Sequence, residues 1–237
     1  MSFARNPGRF AGLLYVLTSI IGFFAMGYVP GKLIVDGNAA ATASNIAAHE
    51  TLFRLGIAGG LIGQAGFIFV AWALYDLLKG VNQRHASLMV VLIVVQVPMA
   101  FLNELNSIAA LVLVRGADFL SIFDKPQREA LAMLFLNLHD HGFNVAEIFW
   151  GLWLFPLGLL VYRSRFLPRF LGVWLGLAGC AWVILSLTSL LLPQYQHKVY
   201  SYLQPAFFGE IAFMFWLLIG GAKPKPLAAP VASAAVG

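Results

Sequence analysis

Residues Ser87–Val114 read "SLMVVLIVVQVPMAFLNELNSIAALVLV". This is one apolar run, interrupted by Gln96, Asn103, Glu104, Asn106 and Ser107. It is long enough to cross about 30 Å of hydrocarbon at about 1.5 Å per residue of helix. It does not alternate with period two, so it reads as a spanning helix and not as a barrel strand. Working outward, five further runs carry the same signature: Phe10–Val29, Leu55–Leu78, Asp140–Tyr162, Phe170–Leu192 and Tyr200–Gly221. The fold class that follows is all-α, a polytopic integral membrane bundle of six helices forming a single domain over residues 1–222.

Bulk composition agrees. Of 237 residues, 60% are hydrophobic, 14% aromatic and only 11% charged, too few charges to cover a soluble domain of this size. The formal charge of +5 does not form a patch suited to nucleic acid, because the basic residues sit at the ends of the apolar runs. Arg5, Arg9, Lys79, Arg84, Arg163, Arg165, Arg169, Lys223 and Lys225 fall on one side, with Asp76 as their one acid. Lys32, Arg54, Arg115, Lys125, Arg128 and Lys198 fall on the other, accompanied by Asp36, Glu50, Asp118, Asp124 and Glu129. The positive-inside rule therefore places both termini in the cytoplasm. The one cysteine, Cys180, permits neither an internal disulfide nor a multi-cysteine zinc site.

The connections have expected structure of their own. Arg5 and Arg9 before an apolar core, with Ala25-Met26-Gly27 behind it, imitate a signal peptide, but the run continues to Val29 and reads as an uncleaved anchor. "NAAATASNIAAHETLFR" places Thr42, Asn45 and His49 on one stripe and is expected to extend the second helix outward, with Glu50 and Arg54 as an i,i+4 pair. In "DKPQREALAMLFLNLH", Asp124 is an N-cap, Gln127 holds the capping-box position and Pro126 lies in the first turn. That helix is expected to run into the fourth span with a bend near Gly142. The Pro/Ala-rich tail, residues 223–237, is expected to be disordered.

Small residues suggest how the spans meet. Gly56, Gly59, Gly60, Gly63 and Gly66 form a ridge on the second span, and Gly172, Gly176 and Gly179 on the fifth. Such ridges let helix backbones approach where lipid offers no hydrophobic drive, and they suit packing within one chain. Together, "RFAGLLYVLTSIIGFF", "AATASNIAAHETLFRLGI", "ALYDLLKGVNQ" and "GFNVAEIFWGLWLFPLGLLVYRSRFLPRFLGVWLGLAG" resemble a bacterial membrane family catalogued as domain of unknown function 4386. The junction from Arg163 to Pro168 is the most specific part. The resemblance implies a small multi-pass protein of prokaryotic membranes and supplies no activity, cofactor or site residue.

The polar residues inside the spans are where function should be sought, since ionisable groups at that depth are costly and face a bundle interior or a watery cavity. Asn137, Asp140, Asn144 and Glu147 share one face of the fourth helix, with His141 beside Asn144. Gln96, Asn103 and Ser107 share a face of the third, flanked by Glu104 and Asn106. Glu147 and Glu210 are expected near mid-membrane, with Glu104, Asp140, His141 and Asn144 lining an approach from the outer face. These six residues are the candidate ligand groups for a small polar or cationic solute, or a proton. The chief alternative is an intramembrane enzyme whose metal is held by His141, Glu104, Asp140 and His49; His139 and His141, two apart, point to different sides of a regular helix. A ligand-free scaffold, its polar groups serving only to fix helix packing, is the third reading. Pro98, Pro156 and Pro205 lie within spans, and "PMAFLNE" echoes "PAFFGE", as an inverted repeat of three helices would.

Overall fold

The computed structural model describes residues 6–223. Arg5, Lys225 and residues 224–237 of the tail lie outside the described residues. The described chain is all-helical, with seven principal helices: α1 (Pro7–Leu33), α2 (Ala39–Ala48), α3 (Glu50–Leu78), α4 (Gln83–Arg115), α5 (Lys125–Arg163), α6 (Arg169–Leu191) and α7 (Gln196–Ile219). All but α2 are long and apolar enough to cross a membrane, so the six expected spans are present.

The six long helices close into a ring in chain order. α1 packs on α3, α3 on α4, α4 on α5, α5 on α6, α6 on α7, and α7 returns to α1. Backbone contacts seal the closure: Gly8 N donates to Ala222 O at 3.1 Å, and Asn6 Oδ1 accepts from Ala222 N at 3.1 Å while capping α1 through Arg9 N at 3.3 Å. The two ends of the described chain thus meet at one end of the ring, as an even number of spans requires. We call it the terminal end, and the opposite one the far end.

Glycine sets the closest approaches. A Cβ on Gly12 would fall 2.4 Å from Leu218 N, and one on Gly151 would fall 2.5 Å from Gly179 O, so α1/α7 and α5/α6 touch through bare backbone. On α3, Gly56, Gly59, Gly63 and Gly66 face Val29, Ala25, Ile21 and Thr18 of α1. The α3 ridge therefore packs within the chain. On α6, Gly172 and Gly179 meet α5, whereas a Cβ on Gly176 would meet nothing within 4 Å.

Two apolar cores result. One lies toward the terminal end and contains Tyr15, Leu74, Met89, Trp153, Leu157, Leu175 and Phe213. The other caps the far end, where α2 lies over Val29, Leu33, Phe53, Leu111, Leu120 and Leu136.

Several local expectations hold. Asp124 and Gln127 form the capping box at 2.8 and 2.9 Å, and α5 runs from there through the membrane for 39 residues. At about 58 Å it is far longer than the hydrocarbon is thick. Glu50 and Arg54 pair at 2.7 Å. In the junction from Arg163 to Pro168, Ser164 Oγ donates to Val161 O at 2.8 Å and accepts from Leu167 N at 3.2 Å, around Arg165 at φ 59°. That left-handed residue, held by its neighbour's hydroxyl, explains why the junction is so particular a sequence.

Two expectations are corrected. The segment before α3 does not extend it: α2 is a separate helix with Asn38 as N-cap, broken from α3 at His49 (φ −126°, ψ 40°). The polar stripe is used to turn α2 back. Thr42 Oγ1 accepts from Val35 N at 2.9 Å, and Asn45 Nδ2 donates to Leu33 O at 3.2 Å, satisfying groups released where α1 ends. Nor is α5 interrupted at Gly142, which lies inside the unbroken helix Lys125–Leu152. The interruption comes at Trp153, where Leu152 O has lost its helical donor because Pro156 has no N–H. Gly142 serves contact instead, for a Cβ there would fall 2.0 Å from Asn103 Oδ1 on α4.

Candidate functional site

Between the two cores the ring encloses a cavity of about 560 Å³, a volume typical of a small-molecule site. All six long helices contribute. Its walls are mainly aromatic, with Phe23, Phe67, Phe143, Trp150, Trp153, Trp182 and Tyr200, and its polar lining is Thr18, Ser19, Gln64, Gln96, Glu104 and Glu210.

At the floor, Glu210 of α7 accepts a hydrogen bond from the hydroxyl of Tyr15 on α1. Tyr15 is 2% exposed and is held edge-on to Phe67 (5.6 Å between ring centroids), with Trp153 beside it at 6.2 Å. The α5 interruption places Trp153 here, 1% exposed, against Tyr15 and Phe67. The aromatic floor thus fixes the donor that fixes the carboxylate.

On the opposite wall, Glu104 of α4 lies over Gly60 of α3, its Oε1 where a Cβ at Gly60 would be only 2.3 Å away. His139 Nε2 of α5 approaches Glu104 Oε1 at 3.5 Å. The imidazole stands edge-on to Phe143, 4.6 Å between centroids, and Asn103 Nδ2 donates to the His139 carbonyl at 2.9 Å, tying α4 to α5 at the same level. Gln96, one helical stretch closer to the terminal end, is 3% exposed and has a buried, unpaired Oε1.

Of the six residues nominated from sequence, Glu104 and Glu210 line this cavity together. The other four are not in its lining. Asp140 is exposed, and so is His141, whose Nδ1 lies 2.7 Å from the Asn137 carbonyl. Asn144 faces α6 and the start of α7: its carbonyl accepts from Ser186 Oγ and its Oδ1 accepts from Gln196 Nε2 at 3.3 Å. Glu147, between Asn144 and the Gly151 contact on the same helix face, is buried with Oε2 unpaired.

The histidine that turns inward is His139, not His141. Its two ring nitrogens approach different acids, Glu104 at 3.5 Å and Asp140 at 3.8 Å, from opposite edges of the ring, so the acids do not converge on one point. Among the described residues no group of three or more His, Cys, Asp or Glu is arranged to hold a metal ion, and the metal set nominated from sequence is not assembled. Sequence reasoning also missed Tyr15, Thr18, Ser19 and Gln64. Tyr15, Thr18 and Ser19 do carry a signal, being polar groups clustered within five residues of the span Phe10–Val29, whose only other polar side chain is Tyr28.

Comparisons with known proteins add little chemistry. A protein described as "Uncharacterized protein" from Archaeoglobus fulgidus is 38% identical over 89 residues, 38% of this chain and 49% of that protein, so the alignment spans about half of its length. That relative is archaeal, and the likeness therefore points to no bacterial membrane in particular. No solved structure matches the chain. The family described as Domain of unknown function (DUF4386) matches residues 10–221, nearly the whole of the ring, and the chain belongs to that family.

Proposed function

We propose that the protein binds a small cationic solute inside the helix ring, with Glu104 and Glu210 as its counter-charges. The observation that carries this reading is that two carboxylates from different helices line one cavity whose other polar lining groups are neutral. A carboxylate at such depth is costly unless something positive or protic meets it. Tyr15 supplies one hydrogen bond to Glu210, and His139 approaches Glu104, which leaves acceptor capacity on both acids facing the cavity. The aromatic walls suit a cation, because ring faces attract positive charge and exclude water. In this reading Asn144 holds α5 to α6 through Ser186, and Asp140 and His141 lie outside the binding chamber. The charge asymmetry of the connections supports termini in the cytoplasm and a cavity in the outer half of the membrane. Each acid follows an in-span proline, Pro98 or Pro205, and helices so weakened are suited to the movements that solute passage demands.

The test is fluorescence titration of purified protein in nanodiscs with methylammonium chloride, since Trp150, Trp153 and Trp182 line the cavity. A saturable change in wild type that is lost in Glu210→Gln and in Glu104→Gln supports the reading. A wild-type protein that shows no saturable change, or a folded double variant that responds like wild type, overturns it.

A further inference from the structure

The cavity has polar acceptors on its floor and inner wall, but its outlet is not polar, and this bears on how a ligand arrives. Above the cavity, the far-end core is built from α1, α2, α3, α4 and α5 and includes no residue of α6 or α7. A straight path to the far end is thus covered by apolar side chains on five elements, none of them α6 or α7.

On that side α1 and α7 part company. They touch backbone to backbone at Gly8 and Gly12, and side chain to side chain at Tyr15 and Glu210. One turn or two farther along, a Cβ on Gly22 would meet nothing within 4 Å, although Gly22 lines the cavity. Phe23 lines it as well and is 73% exposed. From Phe24 to Tyr28 the helix widens into a π turn that packs on α3. The cause is local: Pro30 has no N–H to give to Met26 O, and its ring crowds that carbonyl. The widened turn packs on α3, while α7 is tied at its middle to α6 by Trp174 Nε1 donating to Pro205 O at 3.0 Å and at its start to α5 by Gln196 Nε2 donating to Asn144 Oδ1 at 3.3 Å. Tyr200, half-exposed, forms the other jamb. Gly22 lies about 16 Å in from the far end of α1, a depth at which the surrounding medium is hydrocarbon and not water.

We propose that this gap is a lateral portal, and that the ligand is an amphipathic amine which reaches the cavity from the lipid phase: an ammonium head for the floor, and an apolar body for the aromatic walls and the portal. This rests on the cation reading above and narrows it to a substrate class. Three acceptors, Glu104, Glu210 and the unpaired amide oxygen of Gln96, call for a head that donates several hydrogen bonds, which a protonated primary amine does. The flanking surfaces of Phe23, Phe143, Trp150 and Trp182 offer no such partners and suit an alkyl or aryl chain.

The experiment compares octylammonium with methylammonium on protein in nanodiscs, following tryptophan fluorescence by stopped flow, in wild type, Gly22→Trp and Tyr200→Ala. Each buried methylene is worth roughly fourfold in affinity, so octylammonium should saturate at least about a hundredfold lower than methylammonium. Gly22→Trp places a bulky side chain in the gap, where a Cβ meets nothing within 4 Å, and should slow octylammonium binding about tenfold or more. Tyr200→Ala, which widens the mouth, should speed it, and provides the test should Gly22→Trp not fold. Equal affinity for both amines, or octylammonium rates unchanged in the folded portal variants, overturns the portal while the cation site stands. Saturable binding of neither amine overturns both.

Discussion

Gly60→Ala tests whether the carboxylate of Glu104 is placed by a missing side chain. A Cβ at Gly60 would stand 2.3 Å from Glu104 Oε1 and 3.1 Å from its Cδ, with nothing but the same carboxylate as the third neighbour at 3.8 Å. To restore a tolerable 3.0 Å the oxygen must retreat by 3.0 − 2.3 = 0.7 Å or more. Glu104 is the flexible side chain that must give, and although it lines the cavity, its approach to His139 is disturbed by the retreat. Overpacking of this kind costs about 1–3 kcal/mol. Replacing a mid-helix glycine by alanine returns about 1 kcal/mol. Gly60→Ala should therefore destabilise by about 0–2 kcal/mol in wild type, yet stabilise by about 1 kcal/mol in a Glu104→Ala background, where the obstruction is gone. The coupling of about 1–3 kcal/mol is measurable by SDS-driven unfolding in mixed micelles with a double-mutant cycle. If Gly60→Ala has the same effect with and without Glu104, the carboxylate does not rest on Gly60 and the cavity wall described above is wrong.

Gly12→Ala should behave differently, because its Cβ would meet Leu218 backbone at 2.4 Å and no side-chain change can make room; expected is a loss of about 2 kcal/mol or more, read in the same assay and not rescued by Leu218→Ala. Tyr15→Phe removes the donor to Glu210 and leaves a buried acceptor, worth about 1–3 kcal/mol, and should also shift tryptophan emission because Trp153 stands 6.2 Å from the Tyr15 ring. A Tyr15→Phe protein with wild-type stability and emission would contradict the floor geometry. Asp124→Ala breaks the capping box at the exposed start of α5, and should cost about 1 kcal/mol of stability while amine binding is unchanged.

How much of this could be read in advance depends on which physical signal was local. Six spans follow from run length alone, since hydrocarbon thickness leaves no other reading of Ser87–Val114 and its counterparts. The Asp124 capping box and the Glu50–Arg54 pair lie within four residues, so spacing suffices. The break at His49 was not legible, because it is the return of Thr42 and Asn45 to the end of α1 that ends the helix, a contact made across a loop. Nor was the inward histidine. A helical wheel says that His139 and His141 diverge, but which of them faces inward depends on where α4 lies, and that is fixed by Asn103 meeting the His139 carbonyl over Gly142. Tyr15 was passed over for the same reason: tyrosine is ordinary in a span until another helix brings a carboxylate to it.

The prolines show how one local defect can serve two distant ends. Pro156 removes the donor to Leu152 O, and the resulting interruption lets Trp153 seat against both Tyr15 and Phe67, closing the cavity below. Pro30 does the same to Met26 O, and the π turn that results seats the far half of α1 on α3, beside the gap proposed as a portal. A regular helix in either place would spoil the arrangement: in α5 it would rotate every residue beyond Leu152 against α6, where Gly158 and Gly172 leave no tolerance, and in α1 it would rotate the residues beyond Tyr28 against α3. Restoring the donor is therefore informative at Pro30. Pro30→Ala should recover an ordinary α turn, narrow the gap beside Gly22 and slow octylammonium binding, without touching either carboxylate. Should the variant bind octylammonium at the wild-type rate, the π turn is an accommodation to α3 alone and plays no part in admitting a ligand.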